Sequence, residues 1–425
     1  METIKYPNKS EWIGLLKRPA LDTLSLEKTV NEVLSEVQKN GDAAVKEFTL
    51  KFDKANIEDT LVSATDFIEA EKTCSPKLKA AIQLAKNNIE KFHASQKEEI
   101  KYIETVAGVK CWRKSVGIEK VGLYIPGGSA PLFSTILMLG VPAKLAGCKE
   151  IILCSPPNKE GKVNSAILYA AKLVGITKLF KIGGVQAIAA MAYGTETVPK
   201  VNKIFGPGNQ YVTCAKQLVN KNGTAIDMPA GPSELAIIAD ETCVPEFVAA
   251  DLLSQAEHGE DSQVILISTH EKIISDIKIE AYKQLNLLPR KITATKALEN
   301  SKAFLVKEIS VAIDLINEYA PEHLIIACKN DEDLSEKILN AGSIFLGNYS
   351  CESAGDYASG TNHALPTNGY AKAYSGVSLD SFVKKITVQK ITQQGINLIG
   401  PAIELMAEAE GLQAHKNAVT LRLKK

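Results

Sequence analysis

The hydrophobic pattern changes its period along the chain. After residue 22 it is helical: Val30, Val33, Leu34 and Val37 recur at three- and four-residue spacing, and Gly41 supplies a stop. Ser75-Pro76 is a cap followed by a first-turn proline. It opens a helix expected to bury Leu78, Ile82, Ala85, Ile89 and Phe92. Ala107-Gly108 separates two extended segments, which predicts a hairpin through Cys111 and Trp112. From Val121, strands alternate with helices. GLYIPGG, EIILCSPP, LFKIGG and NKIFGPGN read as strands running into turns. FSTILMLGVPAKLAG, NSAILYAAKLVG, VQAIAAMAYG and QYVTCAKQLV read as the helices that follow them. A second set of apolar strands comes later, in SELAIIA, QVILIS, HLIIAC and SIFLG. After Gly376 the pattern is mostly helical. The first 22 residues, with Trp12 and Pro19, read as an irregular arm.

Such alternation predicts an α/β protein with parallel sheets covered on both faces. Ligands in these sheets bind beyond the carboxyl ends of the strands. Three of those ends are glycine-rich here: Pro126-Gly127-Gly128, Gly183-Gly184 and Gly206-Pro207-Gly208. No turn carries a full GxGxxG, so a phosphate site and an ordinary βα turn both remain open. The longest uncharged stretch, Val121 to Ala143, contains three prolines and four glycines and suits a strand, turn and buried helix better than a membrane span.

Charge narrows the partners. The 425 residues include 49 basic and 49 acidic side chains, without long runs of either sign. A nucleic-acid surface is therefore not expected. The start, METIKYPNKS, lacks a charged-then-apolar export signal, and the eight cysteines form no CxxC pair. Scattered thiols in a chain this large fit a reducing cytosol, so a cytoplasmic location is expected.

Four segments carry candidate chemistry. Gln255 and His258 lie three apart at the end of a predicted helix, on one face; an amide oxygen and an imidazole can hold a metal, or the pair is a polar helix end. Glu322 and His323 precede an apolar strand, where an acid beside an imidazole suits proton transfer, or is a capping glutamate with a structural histidine. The segment from Glu352 to Gly369 is crowded with glycines and hydroxyls and carries Asp356 and His363; a long ordered loop of this kind is a functional candidate. Glu410 and His415 sit at a helix end near the C-terminus. Cys111 and Cys148 have no adjoining histidine and read as structural thiols. His93 and His270 lie in charged helical surroundings and are expected on the surface.

Taken together, IDMPAGPSELAIIAD, LLSQAEHG, YAPEHL, ESAGDYASGTNHALPT and EGLQAHKNAVTLR resemble the histidinol dehydrogenase family, in order and across essentially the whole chain. The resemblance implies two incomplete Rossmann-like domains in an aldehyde dehydrogenase-like architecture, with small N-terminal and C-terminal helical extensions. The division it suggests is an arm over 1–22, one α/β domain over 23–118 with 236–376, a second, NAD-binding, over 119–235, and a C-terminal extension over 377–425. It implies oxidation of L-histidinol to L-histidine through histidinal, with two NAD and one water, as the last step of histidine biosynthesis. It implies one zinc ion per subunit on Gln255, His258, Asp356 and His415, with Glu322 and His323 as the acid–base pair. Ser233, Glu410 and His363 would contact substrate, together with His323 and the zinc ligands; Tyr124, Gln186 and Asn209 would contact NAD. A homodimer is implied, its C-terminal segment bringing Glu410 and His415 to the neighbouring subunit's site. Two other readings stand beside this one: a thiol-dependent aldehyde dehydrogenase using Cys111 or Cys148, and a zinc- or NAD-binding regulatory protein with no need of Glu322 and His323.

Overall fold

The computed structural model describes residues 1–19, 23–127, 131–176, 178–229 and 231–424. Two parallel sheets organise it. The first has strand order Lys178–Phe180, Glu150–Cys154, Lys120–Tyr124, Lys203–Phe205, Ala225–Ile226. The second has the order Glu2–Lys5, Lys302–Leu305, Gln263–Ser268, Glu234–Ala239, His323–Ala327, Ser343–Leu346. Both are covered on two faces, which explains their continuous apolar runs. Val121 and Leu123 join one core cluster while Tyr124 joins the other; Leu235 and Ile237 likewise separate from Ala236 and Ile238.

Local signals in the sequence are realised. Gly41 breaks the helical run Thr23–Phe48 with a positive φ of 53°. The Ser75 side chain caps Pro76–Ala94 by accepting from the Leu78 N–H, and Ile82, Ala85 and Ile89 are buried, as expected. Phe92 is exposed instead, because the buried stripe continues through His93. Tyr102–Val106 and Val109–Gly117 form the predicted hairpin.

Tertiary packing corrects several expectations. Helices in the 23–118 segment cover the five-stranded sheet, not the one built from 234–346. Val30, Val33, Leu34 and Val37 pack with Tyr124 and Ile188, while Ile82, Ala85 and Ile89 pack with Val121 and Ile136. Full burial of each such side chain contributes roughly 1.5–3 kcal/mol, so the partner sheet, rather than helix propensity, holds them. The N-terminal arm is not irregular throughout: Glu2–Lys5 adds a parallel edge strand beside Lys302–Leu305. Residues 20–22 of that arm lie outside the described residues, as does Gly128. The segment after Gly376 is not mostly helical at its start. Val383–Ile391 is a nine-residue strand paired antiparallel with Val109–Gly117, and helices Gln393–Ala409 and Gln413–Leu423 follow.

In the five-stranded sheet the order reverses between Lys120–Tyr124 and Lys203–Phe205. The turn at Gly206 closes this point. Its φ is +127°, and an added Cβ would lie 2.0 Å from the Tyr124 carbonyl oxygen. Gly206→Ala is therefore expected to lower stability by roughly 2–4 kcal/mol, from backbone strain plus the clash. A urea midpoint equal to that of the parent would refute this.

Candidate active site

A cleft of about 950 Å³ opens at that reversal point. Tyr124, Gln186 and Asn209, the three expected NAD contacts, all line it. The Gly184 N–H donates to the Tyr124 hydroxyl (3.0 Å), and burial raises the Tyr124 pKa. Asn209 caps helix Gln210–Lys221, its Oδ1 accepting from Tyr211 and Val212 N–H groups. Gln186 Nε2 donates to Asp53 Oδ2 (3.3 Å), and burial pushes the Asp53 carboxyl up to about 6. Gln186 Oε1 and Ser155 Oγ are buried there without a partner. Gly127 also lets the chain pass closely: a Cβ would sit 2.2 Å from the Pro156 ring. A roomy cleft with orphaned acceptors at a helix N-terminus fits a dinucleotide.

A second constellation forms around His323, the first residue of strand His323–Ala327. Its Nδ1 lies 3.7 Å from Glu322 Oε2 and 4.0 Å from Glu352 Oε1; its Nε2 lies 3.6 Å from Asp356 Oδ1. These gaps exceed hydrogen-bond length, and both ring nitrogens are buried without a partner. Glu322 is held by the Glu234 N–H, which donates to its Oε2 (2.9 Å). Ser233 immediately precedes that residue and is half-buried. Glu352 and Asp356 share helix Glu352–Tyr357 at i, i+4 spacing.

Burial and charge compete among these groups. Burial raises the Glu322 and Glu352 pKa values, opposed by His323. Burial also raises Asp251, to about 7. Burial works against a charged His323, yet the Glu322, Glu352 and Asp356 carboxylates outweigh it and raise the His323 pKa. Asp356 is lowered: the His323 ring, and His363 and His258 beyond it, overcome its burial. The buried carboxyls are thus pushed toward their neutral form unless a positive charge stands beside them.

The donor set fits a metal ion. Ligand atoms of His258, Glu352 and Asp356 lie within 4.8 Å of one another. Gln255, on helix Pro245–Ala256, has both amide atoms buried and unpartnered. Imidazole, carboxylate and amide oxygen together suit a divalent metal ion, zinc among them. Glu410 and His415 are exposed on the C-terminal segment, and His415 is outside this group of ligand atoms.

His363 joins the two constellations. Its Nδ1 bonds the Asp356 carbonyl oxygen (2.9 Å), and its Nε2 meets Thr135 Oγ1 (3.0 Å). Thr135 lies in the first turn of helix Phe133–Leu145, which follows the Tyr124 strand. Burial lowers the His363 pKa against the pull of Asp356. Both ring nitrogens are engaged, so a substrate atom at His363 has to displace the Thr135 hydroxyl.

Several residues were placed differently by the sequence, or overlooked. His93 is fully buried, not at the surface: its Nδ1 bonds the Ile89 carbonyl (2.9 Å) and its Nε2 meets Asn362 Nδ2 (3.3 Å), beside His363. The i−4 carbonyl supplies the partner that makes this burial tolerable. His270 is exposed as expected and faces Glu241. Glu352 was not singled out; its signal was the four-residue spacing to Asp356. Asp53, Asp251 and Glu234 carried no local signal. Cys148 is buried against Phe382, its thiol pushed up to about 11, and Cys111 lies in the three-stranded sheet. Neither is placed as a nucleophile at His323.

Comparison with known proteins gives the family of the chain. The family model described as histidinol dehydrogenase matches residues 16–423. A histidinol dehydrogenase of Bacteroides thetaiotaomicron is 62% identical over 423 residues, covering 100% of this chain and 99% of that one. A chloroplastic histidinol dehydrogenase of Oryza sativa is 51% identical, covering 96% and 87%. The crystal structure of histidinol dehydrogenase from Elizabethkingia anophelis superposes with a TM-score of 0.98 at 58% identity, covering 100% of this chain and 98% of that one. The chain belongs to the histidinol dehydrogenase family.

Proposed function

We propose that this chain oxidises L-histidinol to L-histidine through the aldehyde, consuming two NAD and one water, as the last step of histidine biosynthesis. One observation carries the reading: an acid–imidazole pair beside a metal-binding donor set, linked through His363 and Thr135 to the helix that rises from a dinucleotide cleft. Among the described residues no helix is long and apolar enough to cross a membrane. A cytosolic homodimer is proposed, with its sites completed by Glu410 and His415 of the partner subunit.

Gln255, His258, Asp356 and the partner subunit's His415 would hold zinc. When bound, zinc offers a Lewis-acid anchor for the imidazole and amine of histidinol, fixing the carbinol carbon. The residues of this chain then divide the proton chemistry. His323 Nδ1 faces Glu322 and Glu352, which favour the proton on that nitrogen. Nε2 faces Asp356, one of the residues that would hold zinc; with that carboxylate so engaged, Nε2 accepts the alcohol proton as hydride passes to NAD, giving aldehyde and NADH. Glu322 takes a proton from water as the water oxygen attacks the aldehyde carbon, and His323 returns its proton to the aldehyde oxygen, forming the hydrate and leaving the imidazole neutral again. His323 accepts a hydroxyl proton of the hydrate as a second hydride passes to NAD, giving the carboxylate. Tyr124, Gln186 and Asn209 seat the nucleotide, and Ser233 and His363 bound the substrate.

The test is an absorbance assay for NADH with histidinol. Two NADH per histidine formed is the expected stoichiometry, and no NADH with a zinc-replete protein would refute the reading. Within it, Glu322→Gln is expected to slow histidinal oxidation about 10²-fold, since the amide keeps the hydrogen bond but takes no proton. Oxidation of supplied histidinal at the parent rate would exclude the water-activating role.

A further inference from the structure

Among the described residues, Glu322 accepts a hydrogen bond from the backbone N–H of Glu234 (2.9 Å), which orients it. The position of that N–H depends on the Glu234 side chain, which is 2% exposed at the amino end of strand Glu234–Ala239. Glu234 receives the Arg18 guanidinium through Nε and through Nη2 (2.8 Å), and its Oε1 also accepts from the Asn368 N–H (2.8 Å). The same guanidinium reaches across to the other segment. Arg18 Nη2 donates to the Tyr319 carbonyl (2.6 Å), and the group stacks on the Tyr319 ring, 4.1 Å from its centroid. Tyr319 ends helix Ile309–Tyr319, and Ala320, in left-handed backbone, turns the chain into Pro321-Glu322.

We propose that Arg18 is a positioning residue for water activation: by clamping Glu234 to the Tyr319–Ala320 turn, it fixes both sides of the Glu234–Glu322 hydrogen bond. The inference rests on the reading of Glu322 as the group that activates water. Arg18 touches neither substrate nor cofactor and acts only through Glu234 and the turn. It also offsets the Glu234 charge, which would otherwise stand near Glu322 without a counter-ion. A planar fork can grip a carboxylate and a carbonyl at once, whereas a lysine ammonium supplies the charge without the fork.

The experiment compares two reactions of one added substrate, histidinal. Oxidation with NAD requires attack by water. Reduction with NADH, the reverse of the alcohol step, does not. Their ratio is independent of how much of a preparation is folded. In Arg18→Met the ratio of oxidation to reduction is expected to fall about ten- to a hundredfold, the scale of a catalytic group slightly misplaced. Arg18→Lys, which keeps the charge, is expected to lie between Arg18→Met and the parent. Glu322→Gln should lower the same ratio. A ratio unchanged in both Arg18 variants, whatever their absolute rates, overturns the assignment and leaves the functional reading standing. If the parent protein turned over neither reaction, the functional reading itself would fall, and this inference with it.

Discussion

His323→Asn is expected to lower histidinol oxidation by up to about 10⁴-fold, the upper end of what a positioned general base contributes. The upper end applies because one imidazole serves both hydride transfers. Its Nε2 is the nitrogen turned from Glu322 and Glu352, 3.6 Å from Asp356 and without a hydrogen-bond partner. Asparagine cannot take the alcohol proton, so the barrier rises by roughly 5 kcal/mol. The KM for NAD should change little, since the cleft proposed to seat the nucleotide lies at the other sheet. Parent-like turnover in this variant would remove His323 from the mechanism.

Removing the metal is expected to have an effect at least as large. A strong chelator should abolish NADH formation from histidinol, and added zinc should restore it. A second readout does not depend on turnover. Zinc bound to the folded chain at about 1,000 times its Kd stabilises by about 4 kcal/mol, so the melting temperature should fall on chelation and recover with zinc. The physical basis is the pocket itself. Without a cation, the Glu322, Glu352 and Asp356 carboxylates surround one imidazole, and the Gln255 amide is buried unpaired. Gln255→Leu removes a donor oxygen and should weaken zinc retention. Full activity and unchanged melting after chelation would exclude the metal.

Periodicity and local chemistry reach a long way here. Alternation of apolar strands and helices was enough for two parallel sheets, because each strand buried on two faces must be apolar throughout. The cap at Ser75 and the break at Gly41 follow from side chains within a few residues of each other. Glu322-His323, Gln255, His258, Asp356 and His363 were legible as polar groups interrupting otherwise apolar or uncharged segments, and the structure gathers Glu322, His323, His258 and His363 around Asp356. Glu352 was not, because its neighbours in sequence do not show that it lies under His323.

What only the tertiary structure decided is which surfaces meet. An amphipathic stripe states that a helix buries one face but not against what, since apolar burial is non-directional. The helices of residues 23–94 therefore could not be assigned to their sheet from sequence. Ligands were expected at the carboxyl ends of strands, and the cleft lined by Tyr124, Gln186 and Asn209 opens there. His323 instead begins its strand, at the amino end of the six-stranded sheet. Arg18 and Glu234 are 216 residues apart, and nothing local to either indicates the other. Sequence by itself determined the layers and named most of the reactive groups. Their distances, their charge balance and their supports came from long-range packing, where burial leaves each polar group needing a partner that only the folded chain can bring.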